Sequence, residues 1–534
     1  MNSPLGFRMA TQEGAQWPLG SIQFSSSISI VCGIVAIILY VWIPSRNSLK
    51  ELPCINPAKG FLGFESKVGS KRKFQESGES MLVQARERYP TQPYRINVEM
   101  GERIVLPPEF IEEIRNEPNL VFEGSFVEDY HTHLPGFEPL AMFHHDGIMQ
   151  AVVKKHLTKV SASIIKALSK EAEFVLSRDI GNDPEWREMR VLPLILGIVS
   201  SLMVRTFLGE ELCRSQEWMT VTQQYVHNWY TVTPKLHMYP RPLRKIVHWA
   251  FPECRRLRAL AKEAPRLLAP TIAKRREIKQ AAADAGHEIP RFDDAFEWLE
   301  EEAAAKGLVY DESLVAYFQI AMTLGAVHTT TDLLEQFMID LGRHPDATQL
   351  IRNEVIHHLQ VEGMSNSSFY KMKLLDSALK ETQRLKPVEM LMLRRRAEGD
   401  VRLSNGLVLK KGVQTVVDPC RMRDPTVYEN PNEWDPARFA KLRSQTGGAK
   451  TAQLVSPNRN HLGFGYGNHV CPGRFFAVTD LKVTLCHLLV KYEWTISPET
   501  NPDPRAVGVL LIPNPKAKIL IRKREKPEID FALI

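Results

Sequence analysis

The chain has 534 residues, 44% of them hydrophobic, so it can bury a large core and is neither disordered nor fibrous. Its net charge of +6 is too small for this length to indicate a nucleic-acid-binding protein. The 7 cysteines are scattered, and no two of them are spaced as CxxC. This pattern argues against a disulfide framework or a zinc site and favours a reducing compartment.

The first element predicted from the N-terminus is a transmembrane anchor over residues 22–43, which follows a tail over residues 1–21. The segment has no charged residue, and as a helix it would reach about 33 Å, enough to cross the core of a bilayer. A cleaved signal peptide is the alternative, but the apolar run is long for one and no small-x-small cleavage pattern follows it. Arg46 and Lys50 predict that the rest of the chain faces the cytosol.

After the anchor, residues 44–60 contain three prolines and are predicted to form a short, stiff hinge. The remaining residues, 61–534, show no internal repeat and no low-complexity tract, and their one linker-like break lies at 281–292. We therefore expect a single large domain.

Helical periodicity dominates this domain, whereas strand-like pieces are few and short. The clearest strand-like piece is 401–409, where Asn405-Gly406 predicts a hairpin turn. The sequence therefore predicts a fold that is mainly α with small β-sheets. Apolar residues recur three and four positions apart over 151–176, 194–208, 260–282, 314–341, 374–385 and 474–492.

Near the last of these segments, the stretch FGYGNHVCPGRFFA, residues 464–477, holds Cys471 between glycines and directly before a proline. Proline suits the first turn of a helix, so Cys471 is predicted to lie where a helix begins and where backbone N–H groups stabilise a thiolate. Gly467 and Gly473 would let a flat, bulky group come close to the backbone. On this loop alone, a metal-ligating cysteine and a buried structural cysteine fit about equally well.

Two earlier segments carry further signals. Glu381 and Arg384 lie three positions apart on one face of a predicted helix, which by itself usually indicates a solvated ion pair of small energetic value. A proline-rich segment then runs to Arg438, a few dozen residues before Cys471. These three elements in this order are far more specific than any one of them.

In this combination the sequence resembles the cytochrome P-450 family of haem-thiolate enzymes, over roughly residues 50–525. The family's haem loop has the form FxxGxRxCxG. At its positions this chain has Phe464, Gly467, His469, Cys471 and Gly473, the histidine standing where arginine is usual. The resemblance implies the cytochrome P-450 fold, with haem as cofactor and Cys471 as the proximal iron ligand. Thiolate ligation favours cleavage of the O–O bond.

The resemblance also implies roles for several charged residues. The family's ExxR pair matches Glu381 and Arg384, and its PERF-type segment matches DPARF, so Arg438 is expected to bind that pair. Among three consecutive arginines, comparison with the family favours Arg395 as a contact of a haem propionate. The histidine of the haem loop would be a weaker second donor. Lys154 stands where the family's WxxxR motif has its arginine and is expected to contact a propionate as well.

The predicted long helix supplies the other side of the expected site. The family motif (A/G)Gx(D/E)T(T/S) matches this helix, with His328 in place of the acid and Thr329 as the threonine. Thr329 would assist proton delivery during oxygen activation, and Asp332 lies on the same helix face as His328. Residues 131–143 and 228–243 lie where family members vary and line their substrate pockets.

Together these features are similar to those of the fungal branch of the family that oxidises terpenoids and related secondary metabolites. The resemblance implies a monooxygenase, single-pass in the endoplasmic reticulum membrane, with its catalytic domain in the cytosol. It would insert one oxygen atom from dioxygen into a lipophilic substrate, with electrons from NADPH delivered by a separate cytochrome P-450 reductase and cytochrome b5 as an additional donor. The alternative is a haem-thiolate isomerase or dehydratase that needs neither dioxygen nor reductase, which His328 keeps open.

Overall fold

The computed structural model describes residues 49–57, 64–144, 146–159 and 161–531. The expected anchor over residues 22–43 lies outside these ranges. Within them one helix, Val191–Leu212, is long and apolar enough to cross a membrane, and 72% of its most apolar window is buried inside the protein. That burial is typical of a core helix.

Helices make up most of the described chain, as the sequence predicts. They are numbered here in chain order: α1 (Phe64–Arg88), α2 (Ile111–Ile114), α3 (Phe122–Asp129), α4 (Glu138–Ala141), α5 (Ile148–Val152), α6 (Ala162–Asp179), α7 (Val191–Leu212), α8 (Gln216–His237), α9 (Arg241–Val247), α10 (Pro252–Asp284), α11 (Ala295–Ala305), α12 (Glu312–Arg343), α13 (Pro345–Glu362), α14 (Asn366–Lys371), α15 (Lys373–Leu385), α16 (Arg438–Ser444) and α17 (Arg474–Lys491).

The strands form small sheets at the edges of the helical body. The largest has the order β1-β2-β8-β5-β3, a second has the order β4-β12-β9, and β6-β7 and β10-β11 are hairpin-like pairs. Among the strands of the described residues, β2 and β8 are the one parallel pair. The strands in the described residues are β1 (Tyr94–Val98), β2 (Gly101–Leu106), β3 (Leu120–Val121), β4 (Arg187–Arg190), β5 (Met392–Ala397), β6 (Val401–Arg402), β7 (Val408–Leu409), β8 (Gln414–Val417), β9 (Tyr492–Ile496), β10 (Arg505–Val507), β11 (Leu510–Ile512) and β12 (Lys518–Lys523).

The long helix α12 runs through the main hydrophobic core. It begins where the Asp311 carboxylate accepts a hydrogen bond of 2.8 Å from the Leu314 amide. From Val315 to Leu341 nearly every residue is buried. In the middle of this run, however, Gly325 and Thr329 are exposed. Because they lie one turn apart, they mark one face of α12 that borders an internal space.

The predicted helical segments lie within α7, α10, α12, α15 and α17, apart from 151–176, which is broken. There α5 ends at Val152 and passes into a π turn at Val153–Leu157. α6 begins only after Ser161, whose hydroxyl accepts a hydrogen bond from the Ile164 amide. The residues on both sides of the break stay buried, so the apolar period continues across it and conceals the turn.

Part of the predicted hinge is bound to the first sheet. The Arg95 amide donates to the Pro53 carbonyl oxygen at 2.8 Å, and the Ile55 amide donates to the Arg95 carbonyl oxygen at 3.0 Å. The Asn97 amide donates to the side-chain oxygen of Asn56 at 2.8 Å. These bonds fix residues 53–56 along β1.

Candidate active site

Cys471 ends a tight loop that leads into α17. The Cys471 amide closes the loop by donating to the Phe464 carbonyl oxygen at 2.8 Å. Gly465 and Gly467 have φ angles of 72° and 79°, in the left-handed region that favours glycine. A Cβ atom on Gly467 would lie 2.3 Å from the Arg115 carbonyl oxygen. The loop can therefore reach this position only with glycine there.

The electrostatic surroundings of the Cys471 thiol include donors suited to a thiolate. Burial raises the pKa of Cys471, while the backbone N–H groups of Gly473 and Arg474, and the Arg474 charge, lower it. The Arg474 guanidinium also donates to the Val455 carbonyl oxygen at 3.0 Å and to the Cys471 carbonyl oxygen at 2.9 Å. Gly473 has an ordinary φ of −83°. The lack of a side chain at Gly473 therefore serves the close approach of a bound group to the backbone and not an unusual torsion.

Glu381 and Arg384 form a buried triad with Arg438, as the resemblance implies. The solvated ion pair that their spacing alone would indicate is wrong. Arg384 Nε and Nη2 each donate to a Glu381 carboxylate oxygen at 2.8 Å, and Arg438 Nε donates to Glu381 Oε1 at 2.9 Å. The side chains of Glu381 and Arg384 are 0% exposed. Further donors are used on backbone carbonyls, among them Pro431 at 2.7 Å. The triad therefore ties α15 to the start of α16 and to the backbone of residues 430–433, which precede α16.

Helix α15 also supports the Cys471 loop. A Cβ atom on Gly463 would lie 2.2 Å from Gln383 Oε1, so the chain entering the loop passes directly over α15. The carbonyl oxygen of Lys380 lies 3.2 Å from His461 Nε2. Through these contacts α15, which carries two members of the triad, also holds the chain that enters the loop.

Of the three consecutive arginines, Arg394 and Arg396 have acidic partners. Arg394 binds Glu389 and lies 3.4 Å from Asp129, and Arg396 lies 2.6 Å from Glu398. Arg395 is 3% exposed, and its Nη1 donates only to the Arg394 carbonyl oxygen, at 2.7 Å. Its buried Nε and Nη2 have no hydrogen-bond partner among the described residues.

Two unpartnered donors on a buried cation fit a carboxylate such as a haem propionate. Burial lowers the pKa of Arg395 to about 10, so the group remains charged at neutral pH and needs an anion. The chain therefore offers a binding group for the expected cofactor at the position that the resemblance favours.

His469 and Lys154 belong to the same electrostatic cluster as Arg395. His469 Nδ1 lies 3.6 Å from a Glu123 carboxylate oxygen. Burial, with the positive charges of Arg395 and Lys154, lowers the pKa of His469, so its ring is neutral at neutral pH. Lys154 is exposed and lies on the π turn after α5. The loop histidine is thus a neutral donor, while the two other side chains supply charge.

The exposed face of α12 carries Thr329. Its hydroxyl donates to the Gly325 carbonyl oxygen at 3.2 Å, inside the helix. A Cβ atom on Gly325 would come within 3.3 Å of the Phe143 ring, so Phe143 closes this space from the side. Burial lowers the pKa of His328 and raises that of Asp332 to about 8. At neutral pH His328 is therefore neutral and Asp332 is mainly protonated.

Residues of the two segments expected to line the substrate pocket differ in whether they are exposed to the internal space. His131 and His237 are buried, with ring centroids 4.4 Å apart, and pack against each other instead of facing the space. Tyr230, by contrast, is 44% exposed, and its ring lies 5.5 Å from the His328 ring. Sequence reasoning did not single out Tyr230, and its only signal was its place within 228–243.

We expect Arg395→Leu to weaken haem retention without weakening the protein fold. A hydrogen bond to a charged group contributes about 1.5–3 kcal/mol, so the rate of haem loss should rise about tenfold or more. Transfer of haem to an excess of a haem-binding acceptor protein measures that rate. Arg396→Leu is the matched control, because Arg396 already has protein partners. Equal rates for the two variants would contradict the assignment of Arg395.

Comparisons with known proteins agree with this geometry. The family model described as Cytochrome P450 matches residues 108–521. Cytochrome P450 monooxygenase hepE of Aspergillus oryzae is 39% identical over 89% of this chain and 86% of its own, and Cytochrome P450 monooxygenase 2 of Gibberella fujikuroi is 39% identical over 93% and 94%.

Among solved structures, retinoic acid bound cyanobacterial CYP120A1 superimposes with a TM-score of 0.62 at 18% identity, covering 85% of this chain and 96% of its own. This likeness confirms the fold. The family match and the curated relatives go further, since they cover most of this chain. The chain therefore belongs to the cytochrome P-450 family and is a haem-thiolate monooxygenase similar to those of fungi.

Proposed function

We propose that this monooxygenase is membrane-anchored and inserts one oxygen atom from dioxygen into a lipophilic secondary metabolite, a terpenoid or a related compound. Electrons would come from NADPH through a separate cytochrome P-450 reductase, with cytochrome b5 as an additional donor. The charge-free run over residues 22–43 supports a single-pass anchor, and the cations after it support a cytosolic catalytic domain at the endoplasmic reticulum.

Within this proposal the residues around the cofactor have distinct roles. Cys471 supplies the thiolate, which the backbone donors after it stabilise. Arg395 neutralises one propionate, with His469 and Lys154 beside it. Gly473 leaves room for the flat ring system, Gly467 lets the loop pass the Arg115 backbone, and the Phe464 carbonyl oxygen closes the loop by accepting from the Cys471 amide. Haem, when bound, supplies the iron at which dioxygen is reduced and its O–O bond is cleaved.

The observation that carries the proposal is the exposed Thr329 hydroxyl in the middle of a helix that is buried along most of its length. In the structure this hydroxyl donates back to Gly325, and a rotation about χ1 would let it donate into the internal space instead. Asp332, one turn further along α12, holds a proton at neutral pH because burial raises its pKa to about 8. The pair can thus supply protons where oxygen activation requires them.

One observation favours the alternative, a haem-thiolate isomerase or dehydratase. Burial keeps His328 neutral, so its ring can accept a proton from a substrate as well as donate one. Such an enzyme would form product without NADPH and without dioxygen. The two functions therefore differ in what they consume.

Thr329→Ala is expected to separate product formation from NADPH consumption. Membranes that contain the protein and a reductase are first incubated with lipophilic precursors, and products are identified by mass. With the substrate found in this way, the variant should keep its haem and consume NADPH while hydrogen peroxide largely replaces product, because the hydroxyl that directs the proton is missing.

Thr330→Ala is the control, since Thr330 is the next residue but is 3% exposed and lies off the open face. It should stay coupled. Product from the wild-type protein under anaerobic conditions without reductase would overturn the monooxygenase proposal in favour of rearrangement.

A further inference from the structure

A row of aromatic rings leads from α3 across α8 to α12. The ring centroids of Phe126 and Tyr130 lie 4.6 Å apart, and those of Tyr130 and Trp229 lie 5.1 Å apart. The ring centroid of Tyr230 lies 4.5 Å from that of Trp229, and the Tyr230 ring meets the His328 ring edge-on at 5.5 Å. These rings form one packed row across three elements, in which Phe126 and Trp229 are buried and Tyr230 is the exposed ring beside His328.

Tyr230 faces an internal space rather than bulk solvent. Its side chain is 44% exposed, whereas its neighbour Trp229 is 3% exposed. Burial nevertheless raises the pKa of Tyr230, and the neighbouring Tyr130 and Glu389 raise it as well. A side chain that is exposed and yet surrounded by protein borders a cavity. Its edge-on contact with His328 places that cavity against the open face of α12.

Two polar groups lie at the end of this row of rings, the Tyr230 hydroxyl and the His328 imidazole. Neither the Tyr230 hydroxyl nor the His328 ring has a hydrogen bond or an ion pair with another residue in the described part of the chain. The hydroxyl can both donate and accept a hydrogen bond, and a neutral imidazole offers one donor and one acceptor. An exposed aromatic ring with two free polar groups beside it suits an apolar ring system that carries a hydroxyl or carbonyl group.

We propose that Tyr230 and His328 together hydrogen-bond an oxygen atom already present on a lipophilic substrate with a ring system. That contact sets which carbon atom of the substrate lies beside Thr329. The inference rests on the proposed function and narrows its substrate class to cyclic alcohols and ketones. It also places the reaction after a step that has already introduced an oxygen atom into the ring system.

The test compares three bicyclic probes, decalin, 2-decalol and 2-decalone, on the purified full-length holoenzyme. Isothermal calorimetry gives the affinity for each probe. In Tyr230→Phe the affinity for the two oxygenated probes, relative to decalin, should fall about fivefold, as expected for the loss of one neutral hydrogen bond. The affinity for decalin itself should stay unchanged because the ring remains. His328→Phe should lower the same ratio.

Tyr239→Phe is the matched control, because Tyr239 is also exposed but lies beyond the end of α8, with its ring against Phe251. Its ratio should equal that of the wild type. An unchanged ratio in both Tyr230→Phe and His328→Phe would overturn the inference, and so would a wild-type protein that binds none of the three probes.

The proposed function has its own readouts, which keep the two failures apart. A holoenzyme that shows coupled, NADPH-dependent oxidation but ignores the oxygen atom of the probes loses only the inference about Tyr230 and His328. A protein that forms product without dioxygen loses the proposed function, whatever its affinity for the probes.

Discussion

Cys471→Ala is expected to abolish the red-shifted absorption band of the reduced carbon monoxide complex. Only thiolate ligation of the haem iron would produce that band. In this chain the donors from Gly473 and Arg474 surround the Cys471 sulfur, and the glycine loop fixes it. The effect should therefore be complete rather than partial. Absorption spectra of the reduced protein, recorded with and without carbon monoxide, measure it.

Two further variants make this result interpretable. Cys471→His keeps a ligand for iron, so it should retain some haem while still lacking the red-shifted band, which separates the loss of the thiolate from misfolding. Cys420→Ala is the control because Cys420 is another free, partly buried cysteine. It should keep the band. A red-shifted band in Cys471→Ala would refute the assignment of the ligand.

Much of the fold follows from the sequence because local patterns determine it. Helices α12 and α15 carry an apolar period that survives from end to end, and both lie where that period predicts them. The hairpin at Asn405-Gly406 forms for an equally local reason, since Gly406 has the positive φ of 87° that such a turn requires. A motif with fixed spacing likewise predicts the contact between Glu381 and Arg384.

The rest depends on contacts between distant parts of the chain. No residue near Arg395 in the sequence indicates that Arg395 lacks an acidic partner while Arg394 and Arg396 have one. One partner of Arg394, for example, is Asp129, which lies far away in the chain. Tyr230 and His237 lie in the same predicted pocket segment, and only the packing of His237 against His131 separates the open side chain from the buried one. Burial of this kind is decided by tertiary structure.

Glu381→Gln is expected to destabilise the folded protein by about 3–5 kcal/mol, because it leaves the buried guanidinium groups of Arg384 and Arg438 without a compensating charge. The glutamine can still accept a hydrogen bond, but it cannot neutralise two cations in surroundings that water does not reach. Since α15 also carries the chain entering the Cys471 loop, haem should be lost in the same transition.

Urea unfolding, followed by far-UV circular dichroism and by haem absorption, measures both effects. Asp400→Asn is the matched control: its ion pair with Lys410 is about half exposed on both sides, so its loss should leave both midpoints close to those of the wild type. If both midpoints of Glu381→Gln also stay there, the triad has no structural role. If haem is lost at a lower urea concentration than the helices, the triad supports the loop more than the fold. In that case α15 keeps its helix while it releases the chain before Phe464.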